Sequence, residues 1–167
     1  MNAKSADTTP NGPRARGREL AVLVLCHLER FDAGEEGEAR QLLWSSPPRG
    51  DEAGEDAFAR LAEDADARAF ADELVDAWVA AREGVDAEIG QASERWRLDR
   101  MDRVDRNVLR VATTELSVQP DTPRGVVLSE AARIARRYGS DRSARFVNGL
   151  LDAVAKRLSD PARVSRA

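Results

Sequence analysis

Three amphipathic segments between Asp99 and Leu158 constrain the fold of this chain more than any other feature. In each segment apolar residues recur at steps of three and four, the spacing that places them on one face of an α-helix. Asp99 is a candidate N-cap, Thr122-Pro123 is typical of a helix start, and Gly139 is typical of a left-handed residue that ends a helix. The pattern predicts helices over about 99–116, 123–138 and 142–158.

The first helix has a different pattern. Residues 20–28 are apolar on nearly every side, so we expect this helix to be buried and to form the centre against which both halves of the chain pack. Residues 32–64 are rich in acids, glycine and proline, and they predict only a short helix near 38–44 and another from about Asp56.

A clear helix is predicted over 66–82, with its apolar residues on one face. The pattern continues after Gly84 as a separate or kinked helix up to Ser93. Large aromatic residues at such spacing are usually buried, so Trp78 and Trp96 are expected in the core.

Composition favours an all-α fold, because the chain is rich in Ala, Arg, Glu and Asp and has no segment of alternating polar and apolar residues. Its 167 residues fit one domain. No run of 18 apolar residues predicts a membrane span, and the N-terminus does not resemble a signal peptide, so we expect a cytoplasmic protein.

The chain offers little for catalysis. It has one cysteine and one histidine, Cys26 and His27, and adjacent side chains on a helix diverge by about 100°, so they cannot act on one substrate. Both are expected to be buried core residues. Neither a phosphate-binding glycine loop nor a metal-ligand spacing occurs, so we expect no enzymatic activity and no cofactor.

The net charge of −4 conceals a strong segregation of charge along the chain. Residues 1–30 carry five basic and three acidic side chains (+2), residues 31–94 carry five and eighteen (−13), and residues 95–167 carry sixteen and nine (+7). Because electrostatic attraction is screened beyond about 8–10 Å, a basic face can bind phosphates on an acidic protein.

Two arginine clusters are candidates for such binding. Arg14, Arg16 and Arg18 begin the first helix, where positive charge is unfavourable for the helix dipole and therefore needs another reason. The second cluster, Arg142 and Arg145, shares a face of the last helix with Asn148, Gly149 and Asp152, and Phe146 lies beside it. A glycine within a helix indicates either close packing of a neighbouring helix or a surface that a nucleic acid can approach.

Motifs in both halves resemble the NusB family of transcription antitermination factors. Its C-terminal signature resembles Phe146-Val147-Asn148-Gly149-Leu150-Leu151-Asp152, preceded here by Tyr138-Gly139 and Ser129-Glu130-Ala131. Its middle helix is similar to Trp96–Arg100, Val104–Arg106, Val108–Ala112 and Glu115-Leu116, and its arginine-rich opening to Arg16–Val22. The resemblance runs in family order from Arg14 to Leu158 and is weak only between Asp32 and Asp64.

The resemblance implies an all-α protein of seven helices, with two three-helix bundles around a buried N-terminal helix. We expect a single RNA-binding domain over 14–160, with halves 14–94 and 95–160, between a disordered tail at 1–13 and a C-terminal tail at 161–167. The implied function is transcription antitermination. The implied partners are single-stranded boxA RNA, the ribosomal protein NusE and the transcription elongation complex; a monomer or a homodimer is compatible with the sequence.

The resemblance also implies which residues contact each partner. The family's basic arm and its turn before the last helix contact RNA, and Asn148 adds an amide on the same face. The RNA-contacting residues implied here are Arg14, Arg16, Arg18, Arg142, Ser143, Arg145, Phe146 and Asn148. The partner-binding candidates are Asp105, Arg106 and Arg110. We expect the arginines from both ends of the chain to converge beside the Phe146 ring.

Three departures from the family bear on RNA preference. Cys26 and Thr114 replace family aromatics, and Arg142 replaces an acidic or polar residue, which should strengthen phosphate attraction. Two alternatives stay open: a NusB-like RNA-binding module in ribosomal RNA maturation, as in some RNA cytosine methyltransferases, and a helical adaptor that binds only protein through its acidic half.

Overall fold

The computed structural model describes residues 12–48, 53–160 and 162. Within them lie seven α-helices and no strand, which confirms the all-α prediction: α1 Pro13–Leu28, α2 Glu36–Ser45, α3 Ala53–Ala62, α4 Ala65–Ala92, α5 Arg103–Val118, α6 Arg124–Tyr138 and α7 Ser143–Leu158. Apart from residues 12, 13 and 162, the two tails predicted at 1–13 and 161–167 lie outside the described residues, and Pro13 is already the first residue of α1.

Helix α1 lies at the centre, as its apolar pattern predicted. It contacts each of the helices α2 to α6, and Leu20, Ala21 and Val24 are fully buried in the core. Helices α2, α3 and α4 pack on α1 from the N-terminal half, while α5, α6 and α7 pack against one another. The long helix α4 joins the two groups, because it contacts α1 as well as α5 and α7.

Two predicted helix boundaries were wrong. Helix α4 is continuous from Ala65 to Ala92. Gly84 lies at an exposed position within it and keeps an α-helical backbone, so it causes no break. The segment predicted over 99–116 instead divides into a 3₁₀ turn, Leu98–Arg100, and α5, so that Asp102 rather than Asp99 precedes the helix. The division occurs at Met101, whose backbone is extended while its side chain is buried.

Two glycine and proline interpretations also change. Pro123 is the N-cap of α6 and not its first helical residue. Gly139 has an extended backbone with φ −95°, so a left-handed conformation does not explain it. Glycine is needed there because a Cβ atom would overlap the side chain of Ser143 and lie 2.7 Å from the carbonyl oxygen of Ala135.

Ion pairs between helices hold α1 in its central position. Glu19 of α1 is fully buried and accepts hydrogen bonds from Arg133 and Tyr138 of α6, at 2.9 and 2.5 Å. At the other end of α1, its C-cap residue Glu29 forms ion pairs with three arginines of α5, Arg103, Arg106 and Arg110. Buried charges need such partners, since removing an isolated charge from water costs on the order of several kcal/mol. No described helix has the length and apolar character needed to cross a membrane.

Candidate nucleic-acid interface

The N-terminal arginines lie within the first turns of α1. Arg14 is exposed, its guanidinium lies 4.6 Å from the centre of the Phe70 ring, and it donates a hydrogen bond of 3.2 Å to Gln119. Arg16 is partly buried and forms an ion pair with Asp64, the N-cap of α4. Backbone hydrogen bonds at the start of α4, followed by the Arg16 interaction, lower the pKa of Asp64. Arg14 therefore keeps the most accessible charge of the described part of this cluster.

Arg18 does not face solvent. Its side chain is 7% exposed and pairs with the fully buried Glu115 of α5 through two hydrogen bonds of 2.7 Å. Such a bidentate pair satisfies both charges inside the protein. The expectation that Arg18 offers its charge to an RNA strand is therefore wrong, because using it would leave Glu115 charged and unpaired.

The start of α7 carries a second basic surface, which remains exposed. Arg142, Arg145 and Asn148 are exposed and Phe146 is partly buried. Within residues 12–48 and 53–160, no carboxylate lies within ion-pair distance of either arginine. The first turn of α7 contains no acidic residue, so the positive end of the helix dipole adds to the positive potential here.

Gly149 lies on this surface and not in a contact between helices. No described atom lies within 4 Å of the position that its Cβ would occupy. Close packing of a neighbouring helix, one of the two interpretations of this glycine, is therefore wrong. The open space above Gly149 belongs to a groove along α7.

Ser143 is the second correction within the predicted RNA-binding set. It is buried, and its hydroxyl oxygen accepts a hydrogen bond of 2.9 Å from the backbone N–H of Ser140. Its Oγ also lies 3.2 Å from the hydroxyl oxygen of Ser140. Ser143 therefore closes the turn between α6 and α7, and in this conformation its hydroxyl faces the protein and not a ligand.

Asp105, the first of the partner-binding candidates, is also mostly buried. It is 6% exposed, and its Oδ1 atom has no hydrogen-bond donor among the described residues. Burial raises the pKa of Asp105, the nearby Ser143 hydroxyl partly opposes this effect, and the charge of Asp102 raises the pKa further. Asp105 lines a pocket of about 340 Å³ together with Trp96, Arg142 and other side chains.

Arg106 and Arg110, the other partner-binding candidates, face inward. Arg106 donates to Glu29 of α1 at 2.7 Å, and Arg110 donates to both Glu29 and Asp86 of α4 at 2.9 Å. Burial tends to raise the pKa of Glu29, but the hydrogen bonds and charges of these arginines outweigh it, so the pKa is lowered. Arg106 thus connects α5 to the end of α1, and Arg110 connects α5 to both the end of α1 and α4.

The structure does not bring the two arginine clusters together beside Phe146, so this expectation is wrong. Arg14 contacts Gln119, just after the C-terminal end of α5, whereas Phe146 lies beside Asp105 near its N-terminal end. Fourteen residues separate Gln119 from Asp105, which corresponds to about 20 Å along a helix axis. The clusters are two patches and not one cradle.

Trp96 belongs to the surface near α7, although the sequence placed it in the core. It is 57% exposed, whereas Trp78 is buried as predicted. Trp96 and Arg95 form one side of a groove of about 880 Å³, and Phe146, Arg145 and Gly149 line the other. The missed signal was the local composition, since Trp96 stands among charged residues between two helices, where no apolar periodicity continues.

The two aromatic replacements noted in the sequence lie away from this groove. Thr114 is fully buried and its hydroxyl donates to the carbonyl oxygen of Arg110 at 2.8 Å. Cys26 is partly buried beside Asn107, whose amide lies 3.5 Å from the sulfur. Burial, only partly opposed by the Asn107 hydrogen bond, raises the pKa of the Cys26 thiol to about 11. His27 is also partly buried and lies against Phe31.

The fold and the groove define a class: an all-α protein with a basic, ring-bearing surface suited to nucleic acid. Among the described residues no group of His, Cys, Asp and Glu side chains could hold a metal ion. The NusB family profile matches residues 15–156, which is most of the chain. The chain belongs to the NusB family of transcription antitermination proteins.

Individual relatives agree with this assignment. The transcription antitermination protein NusB of Myxococcus xanthus is 43% identical over 150 residues, covering 90% of this chain and 99% of its own length. The solved structure of T. maritima NusB is 31% identical, with a TM-score of 0.67 over 92% of this chain and 98% of its own. A complex of antitermination factors NusB and NusE with double-stranded RNA contains a chain that is 25% identical, with a TM-score of 0.65 over 87% of this chain and 97% of its own.

Proposed function

We propose that this protein is an RNA-binding antitermination factor that recognises single-stranded, boxA-like RNA of nascent ribosomal transcripts and promotes read-through by RNA polymerase. Family membership supports the role in antitermination. The solved complex of a similar chain with NusE and RNA supports the two kinds of partner.

One observation carries the proposal: Arg142 and Arg145 are exposed without an ion-pair partner in the described protein, beside the accessible edge of Phe146. Unpaired guanidinium groups can neutralise phosphates without first breaking an internal ion pair. An aromatic ring can stack on an unpaired base, and the amide of Asn148 can hydrogen-bond to a base edge. Charge positions the strand, while the ring and the amide read its bases.

The N-terminal arginines Arg14 and Arg16 form a second basic patch, separate from the surface of α7. Arg14 is exposed at the start of α1, and Arg16 lies two residues further on, paired with Asp64. Because the patch is about 20 Å from the Phe146 region along α5, one strand contacts both only if it runs along the molecule in an extended conformation. Arg18 has no part in this contact, and its role is to hold α1 against α5.

We place the ribosomal protein NusE near Asp105, with the elongation complex beyond it. Asp105 itself is buried, so a partner would touch the exposed residues around its pocket, such as Asp102 and Arg100. Arg106 and Arg110 support this region from within through Glu29. A partner that donates a hydrogen bond to Asp105 would offset the cost of its unpaired carboxylate oxygen.

The remaining parts of the proposal are a single RNA-binding domain over 14–160, action in the cytoplasm and no enzymatic activity. The single histidine supports the last point, because it removes most general-base schemes. A monomer and a homodimer are both compatible with this function, and sedimentation at working concentration would distinguish them.

RNA affinity measured across salt concentrations tests the proposal. Arg142→Gln combined with Arg145→Gln should weaken binding and make the slope of log K against log salt shallower by about 1.4, since each phosphate contact to a single strand contributes about 0.7. The charge-matched control combines Arg40→Gln with Arg68→Gln, which removes two arginines in the N-terminal half, one paired with Asp76 and one stacked on Trp44.

The control should bind RNA like the unmodified protein. Equal affinity and an equal salt slope in both double variants would refute the assignment of this surface. If the unmodified protein binds neither boxA-like nor scrambled RNA above background, with NusE present or absent, the protein-only adaptor is the better description.

A further inference from the structure

Trp96 is exposed in a part of the molecule where the backbone is well supported. It lies in the connection between α4 and α5, with 57% of its surface accessible. The Ser93 hydroxyl donates a hydrogen bond of 2.7 Å to the Trp96 carbonyl oxygen and accepts one of 3.3 Å from the Trp96 N–H. These bonds hold the connection while the large indole ring remains outside the core. An exposed ring on a supported backbone is typical of a binding residue.

The Trp96 ring faces a groove that has the partly buried ring of Phe146 on its other side. Trp96 and Phe146 both line the groove of about 880 Å³. Gly149 leaves the α7 side of the groove open, because no described atom occupies the space where a side chain would project. The groove therefore has two aromatic sides and an unobstructed helix surface beside one of them.

The charges around this groove favour a phosphate-bearing ligand. Three arginines line it, Arg95, Arg142 and Arg145, and within the described residues none has an ion-pair partner; the two acids on its rim are Glu94 and Asp141. A groove that combines rings with unpaired guanidinium groups has the two components by which proteins bind single strands: stacking on bases and neutralisation of phosphates. A basic protein segment would be repelled by the same arginines.

We infer that Trp96 is a second base-stacking residue, and that Trp96 and Phe146 together bind unpaired nucleobases of an RNA strand while Arg95 extends the phosphate-binding surface across the groove. This inference rests on the proposed RNA-binding function, and it adds the α4–α5 connection to the surface formed by α7. Stacking tolerates any base, so this site contributes affinity for unpaired RNA and not a sequence code.

The test measures RNA binding by the full chain with Trp96→Ala, Trp96→Phe and the control Leu42→Ala, with a boxA-like single-stranded RNA as probe. Trp96→Ala should lower affinity about 5- to 140-fold, the range that stacking on one base supports, while the salt slope stays unchanged because no charge is removed. Trp96→Phe should retain most of the affinity. Leu42 is also an exposed apolar residue but lies on α2, so its truncation should have no effect.

Intrinsic fluorescence gives a second readout that a structural role would not change. Trp44 is stacked on Phe58 and Trp78 is buried, so quenching of tryptophan emission by bound RNA should arise at Trp96 and disappear in Trp96→Phe. Thermal unfolding of each variant should match the unmodified protein, since the ring lies outside the core.

Three outcomes would overturn the inference. The first is an unmodified protein that binds RNA with the expected salt slope while Trp96→Ala binds equally well, which leaves the proposed function intact. The second is loss of binding to the ribosomal protein partner without loss of RNA binding, which would assign Trp96 to a protein interface. The third is absence of RNA binding by the unmodified protein, in which case the proposed function fails as well.

Discussion

The buried pair between Arg18 and Glu115 gives the sharpest prediction about stability. Arg18→Met keeps the length of the side chain but removes its charge, which leaves the fully buried Glu115 carboxylate without its two hydrogen bonds of 2.7 Å. Removing one partner of a buried ion pair costs about 3–5 kcal/mol, because the remaining charge is isolated from water. We therefore expect Arg18→Met to lose about that much free energy of unfolding.

Removing the second charge of the pair as well should restore stability. In Arg18→Met combined with Glu115→Leu both charges are absent, and replacing a buried ion pair by apolar residues of similar volume is neutral or stabilising by about 1–4 kcal/mol. The control is Arg97→Met, which breaks the pair with Asp99. That pair lies on the surface and should contribute only about 0–1 kcal/mol.

Urea unfolding followed by circular dichroism measures these differences. With a slope of about 2 kcal/mol per molar urea, Arg18→Met should unfold at a midpoint lower by about 1.5–2.5 M, and the double variant near the original midpoint. A loss below 1 kcal/mol in Arg18→Met, equal to that of the control, would refute the role of the pair. The folded double variant should also bind RNA normally, and a large loss of binding there would return Arg18 to the RNA-contacting set.

Three further predictions concern single positions. Gly17→Ala should destabilise the protein by about 1–3 kcal/mol, because the new Cβ would lie 2.8 Å from the carbonyl oxygen of Ala67. Gly149→Ala should stabilise α7 by up to about 1 kcal/mol, because its Cβ meets open space. Thermal unfolding of the two variants compares these effects. The pKa of Asp105 is raised on folding, so its contribution to stability is present below the unfolded pKa of about 3.9 and is lost as pH rises through the folded pKa. Asp105→Asn should therefore be more stable than the unmodified protein at pH 7. Unfolding experiments below the unfolded pKa should show no such gain. Cys26, with a thiol pKa of about 11, should react with a thiol reagent at pH 8 far more slowly in the folded protein than in urea; equal rates would contradict its burial.

The helices themselves were largely predictable, because helical periodicity is a local property that a stretch of sequence carries in its own side chains. The apolar character of residues 20–28 was sufficient to place α1 in the centre. The motif that begins at Phe146, together with the arginine-rich opening, was sufficient to indicate the family that the comparisons confirm. Helix ends were less predictable, as the division of the chain at Met101 illustrates, because tertiary burial of one side chain can interrupt a helical pattern.

The accessibility of each candidate residue was decided only by the tertiary structure. Arg14 and Arg18 are the same residue type, four positions apart at the start of one helix, yet only Arg14 is exposed. The difference arises from Glu115, which is 97 residues away in the chain and faces Arg18 once α5 packs on α1.

Trp96 shows the opposite outcome, since an apolar ring that composition assigns to the core remains exposed where two helices connect. The sequence by itself determined the helical class, the central helix and the family. The folded structure decided which charges are paired and which rings are exposed, because ion pairs and burial depend on contacts between helices that no local pattern encodes.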